Sequence, residues 1–171
     1  MFDQVFGLPV HALVIHLVVV LAPLGGLTAI AYAVRPGWRW YLKWPTVALA
    51  VVTGVTSFVA AQSGEQLEHR LITTAAARNS PAGRLIAAHA DAGSTMRLVG
   101  LVFMVVTLAV VLWALPTAPA QRNVTDPAAP ERSGVVTAVA AAVLVLAAGG
   151  VLYQVAVTGH SGAKAVWSTT G

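Results

Sequence analysis

No charged residue interrupts the chain between Asp3 and Arg35. A run this long and this apolar has few folded destinations, because it exceeds the about 20 residues that cross a hydrocarbon core. It reads as a membrane-spanning helix. It has no Lys or Arg ahead of it and exceeds the about 7–15 apolar residues of a signal-peptide core, so it reads as a retained helix. Pro23, followed by Gly25 and Gly26, is expected to kink or loosen it midway.

Charges divide the rest of the chain into similar spans. The apolar stretches lie at about 10–34, 44–62, 98–115 and 135–157, each near the about 20 residues that cross a hydrocarbon core. Ser80-Pro81 reads as an N-cap followed by Pro at the first helical position, so the third helix is expected to start early and run over 81–115. Hydrophobic residues make up 57% of the 171 and charged residues only 9%, against about 25% charged in a soluble domain. The expectation is one all-α domain, 1–171, an integral membrane four-helix bundle without a soluble catalytic module. Residues 35–43 read as a tight turn with interfacial Trp and Tyr. Residues 116–134, with Pro116, Pro119, Pro127 and Pro130, read as a flexible linker. Gly149 and Gly150 are expected to let the fourth helix pack closely.

The one sizeable polar region, 63–97, keeps helical periodicity. Leu85, Ile86, His89, Gly93, Met96 and Gly100 share a face, which turns His89 toward the bundle. If the second helix continues past Gly64, then Ala61, Glu65, Glu68, His69 and Ile72 form a comparable stripe, and the two extensions cap the bundle as a helical hairpin.

Alternation of four spans puts all five histidines, His11, His16, His69, His89 and His160, on one side of the membrane. Ionisable side chains near apolar spans are costly, which makes them functional candidates. His11 and His16 are about 140° apart on a regular helix and cannot both reach one small ion from it. His160 is expected to end the fourth helix in Thr158-Gly-His-Ser-Gly162, where glycines permit an irregular turn. His69, among Glu65, Glu68 and Arg70, reads as a surface residue, and Met96 as packing. Arg35, Arg39, Lys43, Arg122 and Arg132 lie on the linker side, and Arg70, Arg78, Arg84, Arg97 and Lys164 on the histidine side. The count is even, but the linker side holds its charges in shorter connections, which favours a cytoplasmic linker side and non-cytoplasmic histidines and termini.

His11-Ala-Leu-Val-Ile-His16, His89-Ala90 and Gly159-His160-Ser-Gly162, in that order on the expected helices, resemble a family of bacterial four-helix membrane proteins carrying a domain of unknown function. The resemblance spans essentially the whole chain. Members often have Pro after the first histidine, where this chain has Ala12, and His69 lies outside the pattern. Some members resemble fusions to Rieske or c-type cytochrome domains, which implies electron transfer at the non-cytoplasmic face of a bacterial plasma membrane, with a respiratory or electron-transfer protein as partner.

With no cysteine, a metal or haem must rest on His, Met or carboxylate. The leading expectation is b-type haem held by histidines from two helices, His16 with His89 or His11 with His160, with Arg97 or Lys164 for the propionates. The alternative is Zn, Cu or Fe bound by His11, His16, His89 and His160, with Glu65, Glu68 or Asp91 nearby. A third reading is an accessory membrane subunit without cofactor, and a fourth a proton-relay role. No nucleophile elbow or phosphate-binding Gly-Lys-Ser/Thr is present, so a conventional hydrolase or nucleotide enzyme is not expected. The formal charge of +4 is spread along the membrane boundaries, where it serves anionic lipid and not nucleic acid.

Overall fold

The computed structural model describes residues 4–5, 8–115 and 134–167. A two-residue antiparallel ladder, Gln4–Val5 with Leu8–Pro9, precedes helix α1, Val10–Val34. A 3-10 turn, Pro36–Trp38, leads into α2, Arg39–Leu71, and a short α3, Ala75–Asn79, leads into α4, Pro81–Ala109. A π-helical turn, Val110–Ala114, ends α4, and α5 spans Gly134–Trp167.

The four long helices are apolar enough to cross a membrane. They form a ring in which α1 and α4 each pack on both α2 and α5. Neighbours are antiparallel: Gly54 meets Met104 while Ser57 meets Gly100, so the register runs in opposite senses. Tyr32, Phe103, Leu144 and Val151 fill the axis. Leu17, Leu24, Leu98, Val105 and Leu146 point outward, the surface that lipid solvates.

Several boundaries differ from the sequence expectation. The second helix outruns 44–62 at both ends. Its start at Arg39 shortens the 35–43 turn to three residues, because Arg39 is drawn into the bundle. At 9% exposure, its guanidinium donates to the Tyr32 and Ala33 carbonyls at 3.2 and 3.3 Å, satisfying acceptors that the end of α1 leaves open. The helix α1 itself continues through Pro23. The fourth helix does not end near 157 but passes through Gly159 and Gly162 to Trp167. At α4 the start is as the Ser-Pro pair signals: the Ser80 hydroxyl accepts from Gly83 N at 3.0 Å with Pro81 in the first turn. Gly83 is required there, since a Cβ would lie 2.1 Å from the Ala77 carbonyl oxygen. Of the linker 116–134, residues 116–133 lie outside the described residues.

Close approach falls at glycines other than the expected pair. A Cβ at Gly149 would meet nothing within 4 Å, and one at Gly150 only Val99 at 4.0 Å. The close approaches are Gly26 on Leu152, Gly54 on Met104 and Gly100 on Ser57, where an added Cβ would lie 2.8 Å from the neighbouring side chain in each case.

At the end opposite the histidines, the Tyr32 hydroxyl donates to the Leu115 carbonyl at 2.5 Å, tying α1 to the π-turn. Trp38, Trp40, Tyr41 and Trp44 stand exposed around it, as an interfacial aromatic belt does. Tyr32→Phe is expected to cost about 1–3 kcal/mol by leaving a buried carbonyl unpaired. Denaturant titration in detergent measures this, and an unchanged midpoint would count against the anchor.

Candidate functional site

The end of the bundle formed by the start of α1, the C-terminal halves of α2 and α5 and the start of α4 frames an open cavity of about 560 Å³. Its walls are mainly apolar, with Ile15, Ile86, Met96 and Val155 among them, and His11, His89, Glu65 and Glu68 also line it. Although α1 and α4 stand diagonally across the ring, their histidines meet there. The His11 and His89 rings are 6.1 Å apart, edge to face at 74°.

Each ring is held by its Nδ1. His11 Nδ1 lies 3.0 Å from the Ala60 carbonyl oxygen and 3.4 Å from Ser63 Oγ. A carbonyl can only accept, so Nδ1 carries the proton and donates. His89 Nδ1 lies 3.0 Å from Ser161 Oγ. That hydroxyl spends its proton on the Thr158 carbonyl at 2.9 Å, so it too accepts from the imidazole. A neutral ring held in this way has its lone pair on Nε2. Fixing Nδ1–H on an outer partner is how proteins orient imidazole ligands.

Two glycines make room for the rings. A Cβ at Gly64 would lie 3.0 Å from His11 Cε1, and one at Gly162 would lie 2.9 Å from His89 Cε1. Beneath His89, Gln154 Nε2 and Thr158 Oγ1 both donate to the Ala92 carbonyl, at 3.1 and 3.2 Å. This pins α5 to α4 one turn from the site.

The other candidate residues go elsewhere. His16 is exposed and its Nδ1 donates to Ala12 O of its own helix at 2.6 Å. His160 is exposed on the outer face of α5, so the expected axial pairs, His16 with His89 and His11 with His160, do not form. The physical reason is helical geometry: once α5 continues through the Gly-His-Ser-Gly motif, Ser161 and Gly162 face α4 and His160 is rotated away. His69 and Asp91 are exposed, and neither lines the cavity. Glu65 lines it but is paired with Arg97 at 2.9 Å, which engages the guanidinium assigned to a propionate; Lys164 is exposed. Among the described residues no three His, Cys, Asp or Glu side chains converge in a way that could hold a metal ion, so the four histidines do not form one cluster.

Sequence reasoning missed Gly64 and Gln154, and within the Thr158–Gly162 motif it singled out His160 where Ser161 and Gly162 are the residues that meet His89. A signal existed for α5: Gln154, Thr158 and Ser161 recur at spacings of four and three, a polar stripe on one face of a largely apolar helix.

Four long apolar helices packed around an inward-facing histidine pair define an integral four-helix membrane protein. The chain belongs to the family described as Predicted membrane protein (DUF2231), a family of unknown function, whose pattern matches residues 7–170. No curated protein and no solved structure matches it.

Proposed function

We propose that the protein is a b-type cytochrome, holding haem in the cavity between His11 and His89 for electron transfer at a membrane surface. The observation that carries the reading is the histidine pair: two imidazoles from diagonal helices, each with Nδ1 3.0 Å from an outer partner, line one apolar cavity. Two axial imidazoles satisfy haem iron, whereas a non-haem ion would need further ligands that the described residues do not bring together. The cavity volume lies within the range of about 300–1,000 Å³ of small-molecule and cofactor sites, and its apolar walls suit a macrocycle. Bound haem would supply one-electron chemistry. The chain's own residues would orient the two imidazoles, while Gly64 and Gly162 leave the rings their space.

The proposed setting is a bacterial plasma membrane with the cavity facing the non-cytoplasmic side and a respiratory or electron-transfer protein as partner. Arg35 and Lys43, which flank the short Pro36–Trp38 connection, support that orientation by the positive-inside rule. Titrating haemin into detergent-purified apoprotein is expected to give saturable binding at one haem per chain. Failure to saturate, with the protein monodisperse, would overturn haem as the ligand, and stoichiometric Zn, Cu or Fe in the same sample would move the reading to a metal centre.

A further inference from the structure

Below the cavity, four hydroxyls of α2 and α4 are buried inside the bundle. Thr46, Thr53 and Thr107 are fully buried and Ser57 is 1% exposed. Ser57 lines the floor of the cavity. The antiparallel register set by Ser57 on Gly100 and Gly54 on Met104 places Thr107 level with the stretch of α2 between Thr53 and Thr46. On the other side, the contact of Gly25 with Thr53 Oγ1 continues that register to bring Tyr32 level with Thr46. The hydroxyls thus descend from the cavity to the Tyr32–Arg39 end, about 16 Å along the axis between Ser57 and Thr46.

Thr53 Oγ1 donates to the Leu21 carbonyl at 3.4 Å, but the side-chain oxygens of Ser57, Thr107 and Thr46 have no hydrogen-bond partner among the described residues. That is unusual, because a helical Ser or Thr can reach the carbonyl three or four residues back. Thr28 and Thr56 do so here, at 3.0 and 2.7 Å. A buried hydroxyl without a partner is destabilising, and internal water bonded to two or more polar groups is the usual relief.

We propose that the Ser57, Thr107 and Thr46 hydroxyls hold a file of internal water leading from the cavity to the Tyr32–Arg39 end, and that this file conducts protons through the bundle. In each hop, one oxygen accepts a proton on a lone pair and releases another to its neighbour. No covalent bond is gained or lost overall: one proton enters at the cavity and one leaves near Tyr32. The proposal is independent of what the cavity holds.

The test is proton uptake by proteoliposomes of phosphatidylcholine and phosphatidylglycerol enclosing a pH-sensitive dye, driven by a potassium diffusion potential with valinomycin, whose potassium flux balances the charge. Uptake is expected to exceed that of protein-free liposomes. The Thr46→Val/Thr107→Val double variant should return it to the protein-free rate, and Thr56→Val, which bonds its own helix, should leave it unchanged. Uptake equal to that of protein-free liposomes, or undiminished in the double variant, would overturn the proposal. A thermal melt keeps the test decisive should flux fall through misfolding: dry, unpartnered hydroxyls predict that Thr→Val raises the midpoint, which would also overturn it, whereas a water file predicts a lower midpoint in a variant that still folds.

Discussion

His89→Ala is expected to yield a folded protein without haem, and His11→Ala the same, while His16→Ala and His160→Ala retain haem in full. The contrast follows from where the four imidazoles stand. His11 and His89 line the cavity with Nδ1 fixed, whereas His16 bonds its own helix and His160 faces outward. Loss of an outer partner of a metal-ligating histidine costs about 10–100-fold in affinity, and removing an imidazole that would hold the haem should exceed that. The bundle should survive, because truncating His89 leaves Ser161 still bonded to the Thr158 carbonyl and enlarges a cavity that is already open. If the pair is purely structural, the same variants instead lose about 1–3 kcal/mol of stability with no change in bound chromophore. Haem content and denaturation midpoints of the four variants, measured side by side, separate the two cases.

Gly162→Ala is expected to weaken haem binding at least tenfold, an estimate drawn from the about 10–100-fold effect of disturbing a ligand's support, without destabilising the helix that carries it. The added methyl would sit 2.9 Å from His89 Cε1 and 3.3 Å from Nδ1, well inside the about 3.5–4.0 Å at which carbons pack. The ring must turn, and turning breaks its bond to Ser161. Ala meanwhile favours a helix interior over Gly by about 1 kcal/mol, so α5 itself gains. Weaker binding in a protein that is no less stable is the signature of a glycine kept for the ligand. Gly159→Ala is the control, since a Cβ there meets nothing within 4 Å. Equal haem affinity in the Gly162 and Gly159 variants would show that the clearance at His89 does not matter.

The membrane class and the four helices were legible because hydropathy and charge punctuation report directly on solvent, and lipid leaves the backbone only one way to satisfy itself within each span. The Ser80-Pro81 start was legible for a local reason: the cap involves residues adjacent in sequence. Arg39 was not. A cation beside three aromatics reads as interfacial, and only the packing of α2 on α1 turns it inward to the Tyr32 carbonyl. The histidines failed in the same way. Their clustering at one end followed from topology, but which of them share a cavity depends on helix rotation. A helix end misread at 157 instead of Trp167 rotated attention onto His160 and away from Ser161 and Gly162. Gly149-Gly150 misled by composition alone, since adjacent glycines on a membrane helix signal close packing only on the face that meets a neighbour.

The central claim, that His11 and His89 together hold a haem, is tested most directly by the absorption spectrum of the protein purified from membranes in mild detergent, recorded oxidised and after dithionite. The account predicts a Soret band that shifts on reduction, with iron at one atom per chain. A featureless spectrum from protein expressed with haem supplied would contradict it.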